Sequence, residues 1–477
     1  MTFSKGVQRV AFRLWLVTLG FVAVLPWAVP QRAAADARFE AQADAVVTPA
    51  MQAAGFPGLA ILVSKNGRVL VSKGYGTADL EWDAPATDDT VFAVGSITKS
   101  FTGLAVAQLV AAGKLSLDDT LGKFLPDFPA DKRKITVRQL LNHTSGLFNY
   151  TETPELHAAA ARTFSHEEMF AWFKDKPLAF APGTQFSYTN SGVYLLGVIV
   201  EKVGAKSYGA YVAENILTPF GMTRSSYADF SEIVKKRANG YRRGPVGLVN
   251  APGYSPTVPF SAGAMLSTVG DLNRYAHAIH QSDLVSDAIR TILYRREPLN
   301  DGNPSQYALG CWIVRDFEGH RKIAHSGDIY GFSAHLAHYP DDDVTVVVLS
   351  NLDGVLLHPS SIEHKLARLA LGIAQPKTVN APLDAGTAAK FVGDFDTTPV
   401  RFGSSLLGFL YKDGALHMAF GGTEKPEFAL PLVYQDENKF VSAADDETVV
   451  LFDAAGGTAQ TVAVYFYDGV FRGRRVP

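Results

Sequence analysis

The order of the hydrophobic periods predicts an α/β protein: one antiparallel sheet flanked by helices and interrupted by a helical insertion, then a small all-β, barrel-like domain. Three observations carry this. Near the front, the runs Gly58-Leu59-Ala60-Ile61-Leu62-Val63 and Val69-Leu70-Val71 are split by Asn66-Gly67, a pair that tolerates the positive φ angles of a tight hairpin turn. From about Leu309 the stretches 308–314, 322–325, 332–339 and 344–349 look like consecutive strands, with turns at Glu318-Gly319 and Pro340-Asp341-Asp342-Asp343. Beyond 387, short β-rich runs alternate with glycine and charged turns. Strands on both sides of a helical middle assemble most economically into one sheet with helices over it.

In chain order, Lys5, Arg9 and Arg13 precede the apolar run 14–29, and Ala33-Ala34-Ala35-Asp36-Ala37 follows. This is the charged, apolar, small-residue order of a secretory leader over 1–37, with cleavage expected after Ala35 or Ala37. The apolar core is shorter than the roughly 20 residues a spanning helix needs. A periplasmic or secreted protein, not held in a membrane after cleavage, is therefore expected, with an uncleaved membrane anchor as the alternative reading. An amphipathic segment at 39–54 leads to the hairpin. The run 97–112 is rich in Ala and Leu, too long for a strand, and closes at Gly113, so it reads as a helix. Thr136 stands in a cap position before 137–141, and Ser165-His166-Glu167-Glu168 has the form of a capping box. A helix is expected over 193–203 and a closing helix over 362–373. The first, larger domain thus spans 38–373. The stretch 374–387, with two prolines and no periodicity, reads as a linker. In the small β-domain, 388–477, strands are expected at 391–395, 409–411, 416–418, 449–452 and 462–466.

Composition narrows the function. Hydrophobic residues at 47% and charged residues at 19% are ordinary for a globular chain, and a net charge of −3 carries no basic excess for nucleic acid. With one cysteine neither an internal disulfide nor a zinc-type cysteine pair is possible, and Cys311 reads as a small buried hydrophobe.

Chemistry concentrates at the start of the 97–112 helix. Apolar residues surround it (Ile97, Phe101, Leu104, Val106, Leu109, Val110), so it is expected to be buried. Ser96 and Lys99 are three apart and share a face. Ser96 stands at the helix N-terminus, where orphan N–H groups favour developing negative charge. Lys99 against an apolar helix would lose its hydration, which disfavours the ammonium. A neutral amine beside a hydroxyl is a nucleophile–base pair. The plainer alternative is that Ser96 caps the helix and Lys99 reaches to water.

Two further stretches bear on it. Tyr188-Thr189-Asn190 lies in a Gly/Ser/Thr loop before the 193–203 helix, and His325-Ser326-Gly327 ends a strand. With these, Ser96-Ile97-Thr98-Lys99, Tyr188-Thr189-Asn190 and His325-Ser326-Gly327 resemble the three motifs of penicillin-recognising serine enzymes. Their order and spacing are most similar to class C β-lactamases, His-x-Gly D,D-carboxypeptidases, and the related D-aminopeptidases and esterases. Asn142-His143-Thr144-Ser145-Gly146-Leu147 and Ala262-Gly263-Ala264-Met265-Leu266-Ser267-Thr268 resemble further signatures of the family. The resemblance runs from roughly Ala45 to Leu371 and implies the β-lactamase/transpeptidase-like fold; the tail resembles the lipocalin-like barrel appended to some members.

The resemblance implies a role for each residue. Ser96 would be acylated, Lys99 would take its proton, and Tyr188 would relay a proton to the leaving group or from water. Asn190 would bond the substrate amide. The backbone N–H groups of Ser96 and Asp328 would form the oxyanion hole, and Gly327 would let substrate approach the strand. Read without the resemblance, Tyr188 is a core tyrosine, Asn190 a helix N-cap and His325 an ordinary strand histidine. The histidine in the third motif, mostly neutral at pH 7, leans away from efficient β-lactam turnover; when protonated it would help hold a substrate carboxylate. His335 and His338 fall on opposite faces of a strand, and His277 with His280 lacks an acidic companion, so no metal and no cofactor is expected. Gly-x-Ser-x-Gly is absent, against an α/β-hydrolase. An exported serine hydrolase is expected, acting on D-amino-acid peptides (those of cell wall among them), short esters, or β-lactams as poor substrates. The rival readings are a non-catalytic cell-wall peptide binder and a small-ligand carrier built on the β-domain.

Overall fold

The computed structural model describes all residues except 3–27, 230, 301, 303, 356, 398–405, 427, 456, 467, 468 and 477. Most of the expected leader therefore lies outside the described residues. A helix, Ala28–Ala54, runs through both expected cleavage points, and so begins earlier than the anticipated 39–54 segment. No described helix is long and apolar enough to cross a membrane.

Both ends of the first domain build one nine-stranded antiparallel sheet. Asn66 and Gly67 take φ of 51° and 68°, which turns Gly58–Lys65 back into Arg68–Asp79. Gly58–Lys65 also pairs with Val344–Ser350, Leu59 opposite Ser350 and Lys65 opposite Val344. The sheet continues through Phe332–Tyr339, His320–Ile329 and Trp312–Phe317 to Pro304–Ala308 and Arg296–Pro298. The expected single strand at 308–314 is thus two strands. Cys311 takes φ +58°, and Gly310 lies so close to Leu293 that a Cβ would stand 2.7 Å from its carbonyl oxygen. A packed helix imposes that reversal, which no local turn signal announces.

Side-chain alternation splits the interior into layers. Leu59, Ile61 and Val63 face one core with Val346, Val348 and the helices Ala28–Ala54 and Pro359–Leu371. Ala60 and Leu62 face the other with Val347, Leu349 and the helical insertion. In that second layer the helix Thr98–Ala111 is apolar on all sides and buried, packed against the helix Asn190–Gly204. Thr136 with Gln139 and Ser165 with Glu168 form reciprocal capping boxes, as their spacing predicts.

The tail is a closed barrel of eight strands in sequence order. Three of them, Phe428–Asp436, Lys439–Ser442 and Gly469–Arg475, were not anticipated from sequence. A short helix, Ala385–Ala388, starts within the stretch expected as linker. The interior is filled by Phe391, Phe395, Phe409, Phe440 and Phe452 among others, with ring centroids 4.7 Å apart for Phe409 and Phe452 and 5.1 Å for Phe391 and Phe440. Among the described residues these side chains give the barrel a hydrophobic core of its own. It docks on the helix Pro359–Leu371: Arg368 holds Glu447, Lys365 holds Asp446 at 2.6 Å, and Ser361 Oγ donates to Asp445 at 2.6 Å.

Candidate active site

Ser96 lies in a single 3₁₀ turn, Gly95–Ile97, leading into the helix Thr98–Ala111; no side chain caps either element. The capping alternative for Ser96 thus falls away. Two glycines press this turn onto the strand His320–Ile329. Gly95 has φ +50°, and a Cβ there would stand 2.8 Å from the amide nitrogen of Asp328. A Cβ on Gly327 would stand 2.0 Å from the carbonyl oxygen of Val94. The close approach that Gly327 permits is therefore that of the turn carrying Ser96, rather than that of a substrate. The same contact sets the peptides of Ser96 and Asp328 side by side.

Lys99 does not reach water. Its side chain is 0% exposed, and Nζ lies 2.8 Å from Ser96 Oγ and 2.8 Å from the carbonyl oxygen of Ala262. No carboxylate among the described residues pairs with it. Loss of hydration, only weakly opposed by the Cys311 thiol, lowers its pKa from 10.5 to about 7. A neutral amine that donates N–H to Ala262 turns its lone pair to Ser96 O–H, the geometry a general base needs. Cys311 itself is pushed up to about 12 by burial, against the pull of Lys99.

Tyr188 comes from the other side of the cleft. Lys99 Nζ lies 4.9 Å from its ring centroid and 2.8 Å from Ser96 Oγ, so Ser96 and Tyr188 both lie against the same amine. Thr189, not Asn190, is the N-cap of the following helix, its hydroxyl accepting Ser191 N–H at 3.2 Å. Asn190 is the first helical residue; its side-chain N–H donates to Thr151 Oγ1 at 3.0 Å, and its backbone N–H to Asn149 Oδ1 at 3.0 Å. The amide thereby faces the cleft, which holds about 630 Å³ and is also lined by Ser96 and Asp328.

His325 is buried at 3% exposure, with Nδ1 against the carbonyl oxygen of Ser326 and Nε2 2.7 Å from Tyr307 Oη. A carbonyl can only accept, so Nδ1 carries a proton, and in the neutral ring Nε2 receives the Tyr307 hydroxyl proton. A substrate carboxylate would have to displace Tyr307 to reach this ring. The guanidinium that lines the cleft is Arg242, paired with Asp353 at 3.0 Å. Across the mouth, His157 Nδ1 and Tyr330 Oη meet at 2.5 Å. None of these four residues was flagged from sequence. Arg242 and Asp353 are 111 positions apart and His157 and Tyr330 173 apart, and no short motif marks such pairs.

Among the described residues no group of three or more His, Cys, Asp or Glu could hold a metal ion. His335 and His338 do face opposite ways. His335 Nδ1 lies 3.1 Å from Ser326 Oγ, whereas His338 stacks on His280 with centroids 4.2 Å apart. Burial lowers His338 to about 3, with further opposition from His277 and Arg321, so that pair is uncharged.

Residues 43–368 match the profile of the family described as Beta-lactamase. Protein flp of Staphylococcus aureus (strain NCTC 8325 / PS 47) is 30% identical over 332 residues, which is 68% of this chain. The chain spans 65% of the length of that relative. Among solved structures, the octameric penicillin-binding protein homologue from Pyrococcus abyssi superposes with a TM-score of 0.66 at 26% identity, covering 91% of this chain and 99% of that one. A D-stereospecific amidohydrolase from Streptomyces sp. gives 0.60 at 25% identity, covering 70% and 99%.

Proposed function

The chain belongs to the Beta-lactamase family, and from that premise we propose that it is a serine hydrolase that passes an acyl group to water through an ester on Ser96. Its substrates under this reading are D-amino-acid amides and peptides or short esters, with β-lactams turned over poorly. One observation carries the reading: an amine with no exposure and no described carboxylate partner lies 2.8 Å from the Ser96 hydroxyl. Burying a lysine without a counter-ion is costly, and a merely structural role would be served by an apolar residue. The names of the relatives, a penicillin-binding protein homologue and a D-stereospecific amidohydrolase, support the substrate class.

In the proposed sequence Lys99 accepts the Ser96 proton as Oγ bonds to the substrate carbonyl carbon. The oxyanion is received by the Ser96 and Asp328 amides, each such donor being worth roughly 2.7–4 kcal/mol. Tyr188 gives its proton to the departing amine and recovers one from the Lys99 ammonium. A water then repeats the steps in reverse order. A fluorophosphonate or fluorescent penicillin should label the protein on Ser96 and leave Ser96→Ala unlabelled. Screening D-aminoacyl p-nitroanilides, p-nitrophenyl esters and nitrocefin then ranks the substrate classes. Equal labelling of Ser96→Ala, or no turnover anywhere in the panel, would defeat the enzymatic reading and favour a binding protein.

A further inference from the structure

His143 sits in the turn after the helix Val137–Leu141, fully buried and with a left-handed backbone at φ +57°. A histidine in that conformation is uncommon. Here the strain places two acceptors of one residue on one neighbouring segment. The His143 carbonyl accepts Ser187 N–H at 2.9 Å, and ring Nδ1 accepts Thr189 N–H at 3.2 Å. These bonds bracket Tyr188. The imidazole also lies 4.4 Å from the Tyr188 ring, centroid to centroid, tilted by 35°. Its edge meets Tyr307 at 4.6 Å, the tyrosine whose hydroxyl is bonded to His325. One side chain thus touches the segment carrying Tyr188 and the partner of the histidine motif.

We propose that His143 is the positioning residue for Tyr188, fixing where its phenol delivers a proton to the leaving group; this rests on the reading of Ser96 as the acylated nucleophile. To accept Thr189 N–H, Nδ1 must present its lone pair, so the ring works as the neutral tautomer with hydrogen on Nε2. The segment 187–189 is otherwise irregular and precedes a helix, so the two bonds fix the backbone on both sides of Tyr188. An error of about 1 Å at a proton-transfer group can cost on the order of 10²-fold.

The proton inventory gives a test that stability alone would not imitate. When an amide adduct collapses, the C–N bond breaks and the nitrogen must collect a proton, here from Tyr188. A p-nitrophenyl ester expels p-nitrophenolate, which needs none. His143→Phe keeps a ring but removes the acceptor; His143→Asn keeps an acceptor and a residue suited to positive φ but removes the ring. The expected result is that His143→Phe lowers kcat for a D-alanine p-nitroanilide by 10–100-fold. Ester acylation, read as the rate of the p-nitrophenolate burst because full turnover also needs Tyr188 to take the proton of the hydrolytic water, should fall no more than about threefold, with fluorophosphonate labelling of Ser96 retained. His143→Asn should recover the amide rate to within several-fold of the parent. Should His143→Phe not fold, His143→Gln, whose amide reaches past Thr189 N–H, reads the same amide-to-ester ratio. An unchanged ratio in the folded variant, or His143→Asn as impaired on the amide as His143→Phe, overturns the assignment. Absence of labelling in the parent protein would instead strike at Ser96, a failure recognisably different.

Discussion

Lys99 and Lys322 are both 0% exposed, and their surroundings are opposite. Lys322 Nζ meets Glu363 Oε2 at 2.5 Å, and that carboxylate also accepts from Tyr339 at 2.8 Å and lies 3.3 Å from His335 Nε2. Burial pushes Glu363 up, but Lys322, His335 and His364 together hold it well below the usual carboxylate range. Among the described residues the hydrogen-bond partners of Lys99 are a hydroxyl and a carbonyl. Lys322 and His325 stand on the same strand, three apart, and therefore on opposite faces of the sheet. One face stores a compensated ion pair beside the docked barrel, while the other keeps an amine without a described counter-ion. Burial alone does not make a base; burial without an anion does.

The largest expected effect is at Lys99. Lys99→Met should slow acylation by about 10²–10⁴-fold, the usual worth of a positioned base, measured as the rate of fluorophosphonate labelling. The same substitution should raise stability. Lys99 binds its proton less readily folded (about 7) than unfolded (10.5). Between those values the unfolded chain holds more protons, so stability climbs with pH across that window and carries the whole penalty below it. That penalty is at most about 5 kcal/mol. Leaving the Ala262 carbonyl unpaired offsets about 1–3 kcal/mol, so chemical denaturation at pH 7 should show a net gain of about 1–3 kcal/mol. A loss of stability would mean that Lys99 is not buried as an unpaired amine.

Next in size is the mirror case. Lys322→Met leaves Glu363 without its cation and should cost about 3–5 kcal/mol, read from the same denaturation midpoint. Adding Glu363→Leu should return most of that loss, since a buried pair replaced by apolar residues is often neutral. Activity per folded molecule should stay within about threefold. If Lys322→Met and Lys99→Met shift stability in the same direction, the contrast between the two sites fails.

Why was one of these lysines visible in the sequence and the other not? Lys99 belongs to an apolar run beside Ser96, so helical periodicity alone placed it inside, three residues from a hydroxyl. Lys322 finds its partner 41 residues away, on a helix whose register against the strand is set by packing. The hairpin at Asn66-Gly67 was legible because its turn chemistry is local. The reversal at Gly310-Cys311 was not, because Leu293 and Gly103 impose it from other elements. Phe428–Asp436 does not stand out in the sequence because Pro431 interrupts its alternation, and closure of the barrel supplies its pairing instead. Of the site, the three motifs were readable as motifs. The Ala262 carbonyl that orients Lys99, the bracket of His143 around Tyr188, and the Arg242–Asp353 pair in the cleft all depend on contacts across more than 40 positions.

The smallest expected effect comes from making the Lys99 site resemble the Lys322 site. Cys311 is buried and close enough for its charge to act on Lys99. Its φ of +58° suits aspartate. In the parent, kcat/KM should fall about tenfold per pH unit below a limb near pH 7, where Lys99 takes up its proton. A carboxylate at 311 favours the ammonium, so Cys311→Asp should move that limb up by about 1–2 pH units. Activity would then drop about 10–100-fold at pH 7 and return towards the parent value by about pH 9–10. Cys311→Asn, of the same shape without charge, should leave the limb in place. A pH-independent loss in Cys311→Asp would point to distorted packing, whereas an unmoved limb with full activity would show that Lys99 is not the group that titrates. Only the displaced limb fits a base whose reactivity comes from lacking a counter-ion.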